Sequence, residues 1–485
     1  MISKFIMEQK RYTQKELGRI LECSEENVVP IIRKLKEYGI LKAVKNSDVQ
    51  KDMTELVDEQ VVTDDVTPGD TDYLYVFPFV GIIIVSGRVL KCYPKYLFSA
   101  KEPRVELKQV LRVLEKYNSK EQIIRMYNGN DEGTSYNKLA LLLFFLEDYY
   151  ENGTYANTHD IVELNGNGEI LWDKTINDSF MFLSNNRPYY TELKTRMRTE
   201  NTLDYFKRLH ECILTLASKE LKQSDILDLF DIMPVDISDE ALDDFGEDDY
   251  ILYRIEQELN VQFNTRKQIL LKAIYSYISQ RSGLYDVDSL SMFGTNHFNL
   301  VWEDVCADVM DNKLQTPISA LPLPVSLQGG YSSQSSMQLI DLIERPIWEG
   351  EDFSHTATDT LIPDLVSIYE TDRHYHFVIF DAKYYTPQLT AGKTLRGQPG
   401  IESITKQYLY QLAFKDFIEA HHIDIVSNCF LMPTEGDAII SIGTASLPML
   451  DKIGLAKIAV RFLPAKMMYN HYVNGTKMDI SMLNI

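Results

Sequence analysis

The stretches LIPDLVSIYE (residues 361–370) and YHFVIFDAKYY (residues 375–385) decide how this chain is read. Each is a short run rich in β-branched and aromatic residues, and the polar turn Thr371-Asp372-Arg373 joins them, so the pair predicts a β-hairpin. Pro363-Asp364 opens the first strand, and the second runs through largely apolar residues into Asp381-Ala382-Lys383. Sixteen residues separate the two aspartates, a spacing that sets them side by side at one end of the sheet. Two carboxylates there, with the Ala382 carbonyl and Glu303 from an upstream helix, make a hard-oxygen site suited to Mg2+, with Mn2+ as a substitute. Residues 381 and 383 face the same way because strand side chains alternate. Lys383 is therefore expected beside the metal, where its charge would stabilise a phosphorane. Asp-x-Lys at a strand end is by itself more often a structural ion pair. The combination with Pro-Asp, the upstream Glu and a downstream Gln/Tyr helix favours a nuclease.

Outward from this core, HFNLVWEDVCADVM (297–310) reads as a helix. Its apolar stripe is Phe298, Val301, Trp302 and Val305, and Glu303 lies off it, with Asp304 and Asp308 as competitors for its role. Downstream, TPQLTAGKTLRGQPGIESITK (386–406) carries Lys393, Arg396 and Lys406 against Glu402, with glycines at 392, 397 and 400. That segment is either a loop gripping DNA phosphates or a plain solvated connection. KQYLYQLAFKDF (406–417) then reads as a helix bearing Gln407, Tyr410 and Gln411.

Asp364, Asp381-Ala382-Lys383 and upstream Glu303 resemble the PD-(D/E)xK nuclease motif, and the 406–417 segment resembles the helix that follows it in McrC-like nucleases. The closer likeness is to the LlaJI-type restriction endonucleases, the McrC-related nuclease subunits of GTP-driven restriction systems. FVGIIIVSGRVLKCYPKY (79–96), NGNGEILWDKTI (165–176) and GQPGIESITKQYLYQLAF (397–414) spread that likeness over most of residues 73–470. The resemblance implies metal ligation by Asp364, Asp381 and Glu303, catalysis by Lys383, and contact of Gln407 with DNA or the lysine. Many relatives carry a Q-x-x-x-Y helix. Here Gln411 stands four residues after Gln407, which leaves open how Tyr410 and Gln411 meet DNA. The resemblance also implies double-stranded DNA as substrate and a separate McrB-like AAA+ GTPase as partner, with Arg88 as one candidate contact or an ordinary exposed arginine. Dimerisation for double-strand cleavage stays open. Consistent with a separate motor, the chain has no G-x-x-x-x-G-K-[ST] phosphate loop; Gly392-Lys393-Thr394 lacks the preceding glycine.

The full 485 residues suggest about three domains. The predicted class is α/β multidomain: a winged-helix-like unit (1–45), an acidic linker (46–72), a β-rich partner-docking region with a helical segment (73–185), a helical region (186–285), and a PD-(D/E)xK core of mixed sheet flanked by helices (286–485). In the first unit Thr13 is positioned to cap a helix from TQKELGRIL, and Gly39 to end the second helix. That unit carries ten Lys/Arg against six Glu, a net of +4, which leaves DNA contact and protein docking equally open.

The net charge of −22 is concentrated. Residues 46–72 hold nine acids against Lys51, and residues 225–249 hold eleven acids with no Lys or Arg. The second run reads as a solvated loop, a flexible hinge or a helix pair with an acidic face. Such acidity excludes nucleic-acid binding through net charge. That leaves a rival reading: a non-catalytic DNA-binding adaptor that regulates the motor through a degenerate nuclease fold. Five scattered cysteines without C-x-x-C point to a reducing compartment. The longest purely apolar run, Leu139 to Leu146, is too short for a membrane span, and a cytoplasmic protein is expected. His374-Tyr375-His376 and His421-His422 lack a third ligand and read as surface residues; His355 and Asp359 carry little weight.

Overall fold

The computed structural model describes residues 2–45, 61–62, 73–99, 102–117, 138–200, 204–279, 290–387, 392 and 397–485. The chain divides into two units, one formed by residues 2–124 and 292–485 and the other by residues 125–291.

The larger unit begins with β1 (Ile2–Met7), β2 (Arg11–Tyr12), α1 (Gln14–Ile20), α2 (Glu25–Glu37) and β3 (Lys42–Lys45). Thr13 caps α1 in a reciprocal box, its hydroxyl accepting from Glu16 N–H while its own N–H donates to Glu16. Gly39 follows α2 at positive φ. Two helices are followed by a strand, as expected for the first unit, and β2, β5 (Tyr73–Val76), β3 and β4 (Val61–Val62) form one sheet in that order. β1 instead pairs in parallel with β7 (Arg88–Tyr93), in a sheet ordered β1, β7, β6 (Val80–Val85) and β13 (Leu290–Thr295). Ser86-Gly87 makes the expected turn between β6 and β7, both residues at positive φ. Gly81 and Gly294 cross so closely that a Cβ on either would lie within about 2 Å of backbone on the other strand. α3 (Arg104–Tyr117) closes this part. The acidic linker, apart from β4, lies outside the described residues.

The smaller unit packs α4 (Lys138–Asn152), α6 (Tyr205–Gln223), α8 (Asp248–Val261) and α9 (Thr265–Ser279). The apolar run of α4 is buried as its composition demands, and Arg266 on α9 forks onto Asp148 at 2.7–3.2 Å. A small β-rich module follows α4: β8 (Thr158–Leu164), β9 (Glu169–Ile170), α5 (Trp172–Asp178), the hairpin β10 (Met181–Ser184) and β11 (Arg187–Tyr190), and β12 (Lys194–Glu200). The acidic run 225–249 is neither a loose hinge nor a helix pair. After the single turn α7 (Ile226–Leu229) it lies along α6, where Ser218 and Thr215 hydroxyls accept from Val235, Ile237 and Ser238 N–H. Leu227, Leu229, Val235, Leu242 and Phe245 are buried beneath it, most of the carboxylates are exposed, and Glu240 pairs with Arg208 on α6.

The chain returns to the larger unit through β13 and α10 (Phe298–Val309), then an irregular stretch with the exposed hairpin β14 (Ile347–Gly350) and β15 (Phe353–Thr356). The core is a five-stranded mixed sheet in the order β16 (Leu365–Thr371), β17 (His374–Ala382), β18 (Ile425–Thr434), β20 (Ile458–Pro464) and β19 (Ile440–Ala445). β16 and β17 form the expected hairpin, turning at Asp372-Arg373 with both residues at positive φ. β17, β18 and β20 run parallel, joined by crossovers that include α11 (Ile401–Ala413), α12 (Lys415–Ala420) and α13 (Pro448–Asp451); α14 (Ala465–Asn474) ends the layer. α11 covers one face over Phe377, Ile379 and Phe430, and α10 packs on β17 as well. The open edge of β16 is closed by the segment after α10: Val366 N–H donates to Asn312 and Lys313 N–H to the Val366 carbonyl.

Candidate active site

Register determines what meets at the end of β17. Leu365 pairs with Phe380, so Asp364, one residue before β16, lies level with Asp381 and Ala382. Its carboxylate accepts the Ala382 N–H at 2.8 Å. A strand residue directs its N–H and C=O to the same side, so the Ala382 carbonyl also faces Asp364. Lys383 N–H continues the parallel ladder by donating to the Leu431 carbonyl at 2.9 Å. Its ammonium folds back to Asp381, with Nζ 2.7 Å from Oδ1, as the period-two alternation requires. The same Leu431 carbonyl accepts the Trp302 indole N–H at 3.2 Å, which pins α10 and hence Glu303 to the end of the strand.

The electrostatics are those of crowded, dry carboxylates. Burial first, then the charge of Asp381 and a hydrogen bond with it, push Asp364 well above the carboxylate range. Burial also raises Glu303, against the opposing pull of Lys383. For Lys383, burial would depress the ammonium, but Asp381 and Asp364 outweigh it and hold the group above its ordinary value.

Among the described residues, no three His, Cys, Asp or Glu side chains lie close enough to hold a metal ion. Glu303 senses Asp381 and Lys383 electrostatically without joining a ligand cage. The donor set is thus two aspartates in contact and one carbonyl directed at them. That fits Mg2+, which keeps several waters and binds through one or two carboxylates plus substrate phosphate, better than ions that need a full protein cage.

α11 runs back from the C-terminal end of β17. Gln411 accepts from Asn428 Nδ2 and Ala456 N–H, each at 3.0 Å. Asn428 pairs with Ile379, so Gln407, one turn earlier on the helix, lies level with Asp381 and on the face to which Asp381 points. Gln407 is fully buried, and both polar atoms of its amide lack partners among the described residues. Tyr410, expected to touch DNA, is instead inside: its hydroxyl donates to the Ile362 carbonyl at 2.9 Å, anchoring the segment that enters Pro363-Asp364. Gln411 is likewise interior. The helix phase explains both, since Tyr410 shares its inner stripe with Phe414 and Phe417. Lys406 remains exposed in an i,i+4 pair with Glu402. Lys393 and Arg396 lie outside the described residues. Arg88 is half-buried, Nε donating to the Leu21 carbonyl at 2.6 Å and Nη1 to Ser86 at 2.8 Å; it fastens the α1–α2 connection to the β6–β7 turn. Reading local patterns missed Glu8 and Tyr384, which bind each other beside this cluster.

A family model described as LlaJI restriction endonuclease matches residues 79–325 and 331–466. The chain is similar to the Type II restriction enzyme BsuMI component YdjA of Bacillus subtilis (strain 168), 23% identical over 98% of this chain and 90% of that protein. Among solved structures, it is similar to a half-complex of Thermococcus gammatolerans McrB AAA+ hexamers with bound McrC, at a TM-score of 0.39 and 11% identity, covering 98% of this chain and 99% of that one. A structure of the Thermococcus gammatolerans McrBC complex matches at a TM-score of 0.24 and 13% identity over 62% of this chain and 84% of that one.

Proposed function

The chain belongs to the LlaJI restriction endonuclease family, and from that premise we propose that it is the Mg2+-dependent nuclease subunit of a restriction system, hydrolysing phosphodiesters of double-stranded DNA. The observation that carries this reading is the contact set of Asp364, Ala382, Asp381 and Lys383 at one strand end. Mg2+ held by Asp364, Asp381 and the Ala382 carbonyl would neutralise and polarise the scissile phosphate. Lys383, kept cationic by Asp381, offers its ammonium to a phosphoryl oxygen as negative charge builds there. Glu303, with raised proton affinity, suits a proton-accepting role from the α10 side. Gln407 brings an unspent amide to the level of Asp381, where an N–H can donate to phosphate. Exposed Lys406 stands at the start of the Gln407 turn and supplies a phosphate contact.

Cutting is gated, in this reading, by a McrB-like AAA+ GTPase. The β-rich module supports a docking role, because Phe180, Phe182 and Leu183 at its hairpin are exposed rather than packed. Among the described residues no helix is long and apolar enough to cross a membrane. The test is cleavage of closed-circular DNA with Mg2+ by wild type and Lys383→Ala, each alone and with the GTPase and GTP. Cutting by wild type only supports the nuclease. Equal cutting by both refutes the site. No cutting, with GTP turnover still responding to the chain, favours an adaptor.

A further inference from the structure

We propose that Glu8 is a positioning residue for the Asp381–Lys383 strand end, acting through Tyr384; the proposal rests on the nuclease reading above. Glu8 follows β1, where its N–H donates to the Tyr93 carbonyl and the next N–H, of Gln9, to Phe77, each at 2.9 Å. Its side chain is only 3% exposed, and Oε2 accepts both the Lys95 N–H at 3.0 Å and the Tyr384 hydroxyl. Tyr384 directly follows Lys383, just past the end of β17, where Lys383 N–H still extends the ladder to the Leu431 carbonyl while the Tyr384 hydroxyl reaches Glu8. Through the peptide bond that joins them, whatever holds the Tyr384 ring restrains the backbone from which Lys383 projects.

Three groups pack around the ring. Phe298, at the start of α10, lies 5.4 Å away, Tyr96 meets it edge-on at 6.3 Å, and Lys95 Nζ stands 4.9 Å over its centre. Lys95 Nζ also donates to Gln9 Oε1 at 3.0 Å. The Tyr96 hydroxyl donates to Tyr469 at 3.0 Å, and the Tyr469 ring lies 6.2 Å from Trp302, the neighbour of Glu303. Both flanks of the proposed catalytic cluster thus end in one buried network that receives a carboxylate from the N-terminal strand. Docking that strand needs no buried charge, since apolar contact does it at lower desolvation cost. A carboxylate that accepts from a hydroxyl adds direction, which packing alone does not.

The test uses the full chain, with the GTPase partner and GTP. Tyr384→Phe keeps the ring and removes only the hydroxyl. The expected result is a cleavage rate per folded molecule down roughly tenfold, an unchanged KM for DNA, and Mn2+ binding by titration calorimetry weakened severalfold. Glu8→Gln, which retains an acceptor oxygen, should keep more activity than Glu8→Ala. A Tyr384→Phe protein that melts lower yet cuts and binds Mn2+ like wild type overturns the proposal and leaves Glu8 a packing residue. The Lys383→Ala control separates the two claims. If wild type shows no Lys383-dependent cutting, the nuclease reading fails and the Mn2+ titration decides alone: an affinity that Tyr384→Phe leaves unchanged, or no binding at all, overturns the positioning role.

Discussion

The five-stranded sheet and the β10–β11 hairpin spend the same kinds of residue in opposite ways. In β17 Phe377, Val378, Ile379 and Phe380 are wholly buried, and the polar residues come after them at the strand end. In the hairpin Phe182 stacks on Tyr189 at 5.6 Å, yet both rings are about half exposed, as are Met181 and Leu183. A strand buried on both faces fixes its ends rigidly, and rigid ends are where a two-carboxylate, one-lysine geometry can be kept. A two-stranded ribbon with apolar residues in water gains little for its own fold. The contrast separates a region that can hold a fixed geometry from one that leaves its apolar residues in water, as the proposed roles in chemistry and in docking would require.

The largest effect that would sharpen this contrast is on chemistry. Lys383→Ala should lower DNA cleavage by about a thousandfold while thermal melting stays close to wild type; a folded variant that still cuts would erase the distinction. Next, one residue type can be compared across the two regions. Phe380→Ala should cost about 3–5 kcal/mol in denaturant unfolding, whereas Phe182→Ala should stay within about 0.5 kcal/mol. Phe182→Ala should nevertheless weaken stimulation by the GTPase, so equal stability losses at both sites would break the comparison.

A third test is of opposite pH signs, read by melting in a chelator. Asp364 binds its proton more tightly in the folded than in the unfolded chain. Its contribution is therefore complete at low pH and is lost as pH rises through its elevated folded value. Asp364→Asn should raise the melting temperature of the metal-free protein, more at pH 8 than at pH 5, while abolishing activity. In the smaller unit His210 is the reverse: burial, then the Arg266 charge, pushes it from 6.5 down to about 3. Stability there is lost as pH falls from about 6.5 toward 3, and His210→Gln should flatten that loss. The smallest effect is at Lys406, where the exposed pair with Glu402 adds little stability. Lys406→Ala should cut DNA affinity about twofold and reduce its salt dependence by about one phosphate contact.

Much of the Asp364–Lys383 arrangement was legible because it depends on short-range rules. Period-two alternation puts Asp381 and Lys383 on one face, and a short polar turn puts Asp364 opposite. The interior placement of Tyr410 was also available, since Phe414 and Phe417 recur at helical spacing from it. The packing of the acidic run 225–249 was hidden because its charges outnumber the apolar residues, among them Leu227, Leu229, Val235 and Phe245, that carry it. What no local pattern reveals is the β1–β7 pairing or the Glu8–Tyr384 bond. Their partners are far apart in sequence, and MISKFIM alone does not say which strand it will join.

The Glu8–Tyr384 bond spans 376 positions of sequence, and that distance is also a delay. At about 5–20 residues per second of synthesis, roughly 20 to 75 s separate the making of the carboxylate from the making of its phenol. Through that interval a growing chain can form β1, the two helices and the β6–β7 hairpin but cannot complete the far end of β17. A cell translating this protein therefore holds the strand end that bears Lys383 unfinished until late in every round of synthesis.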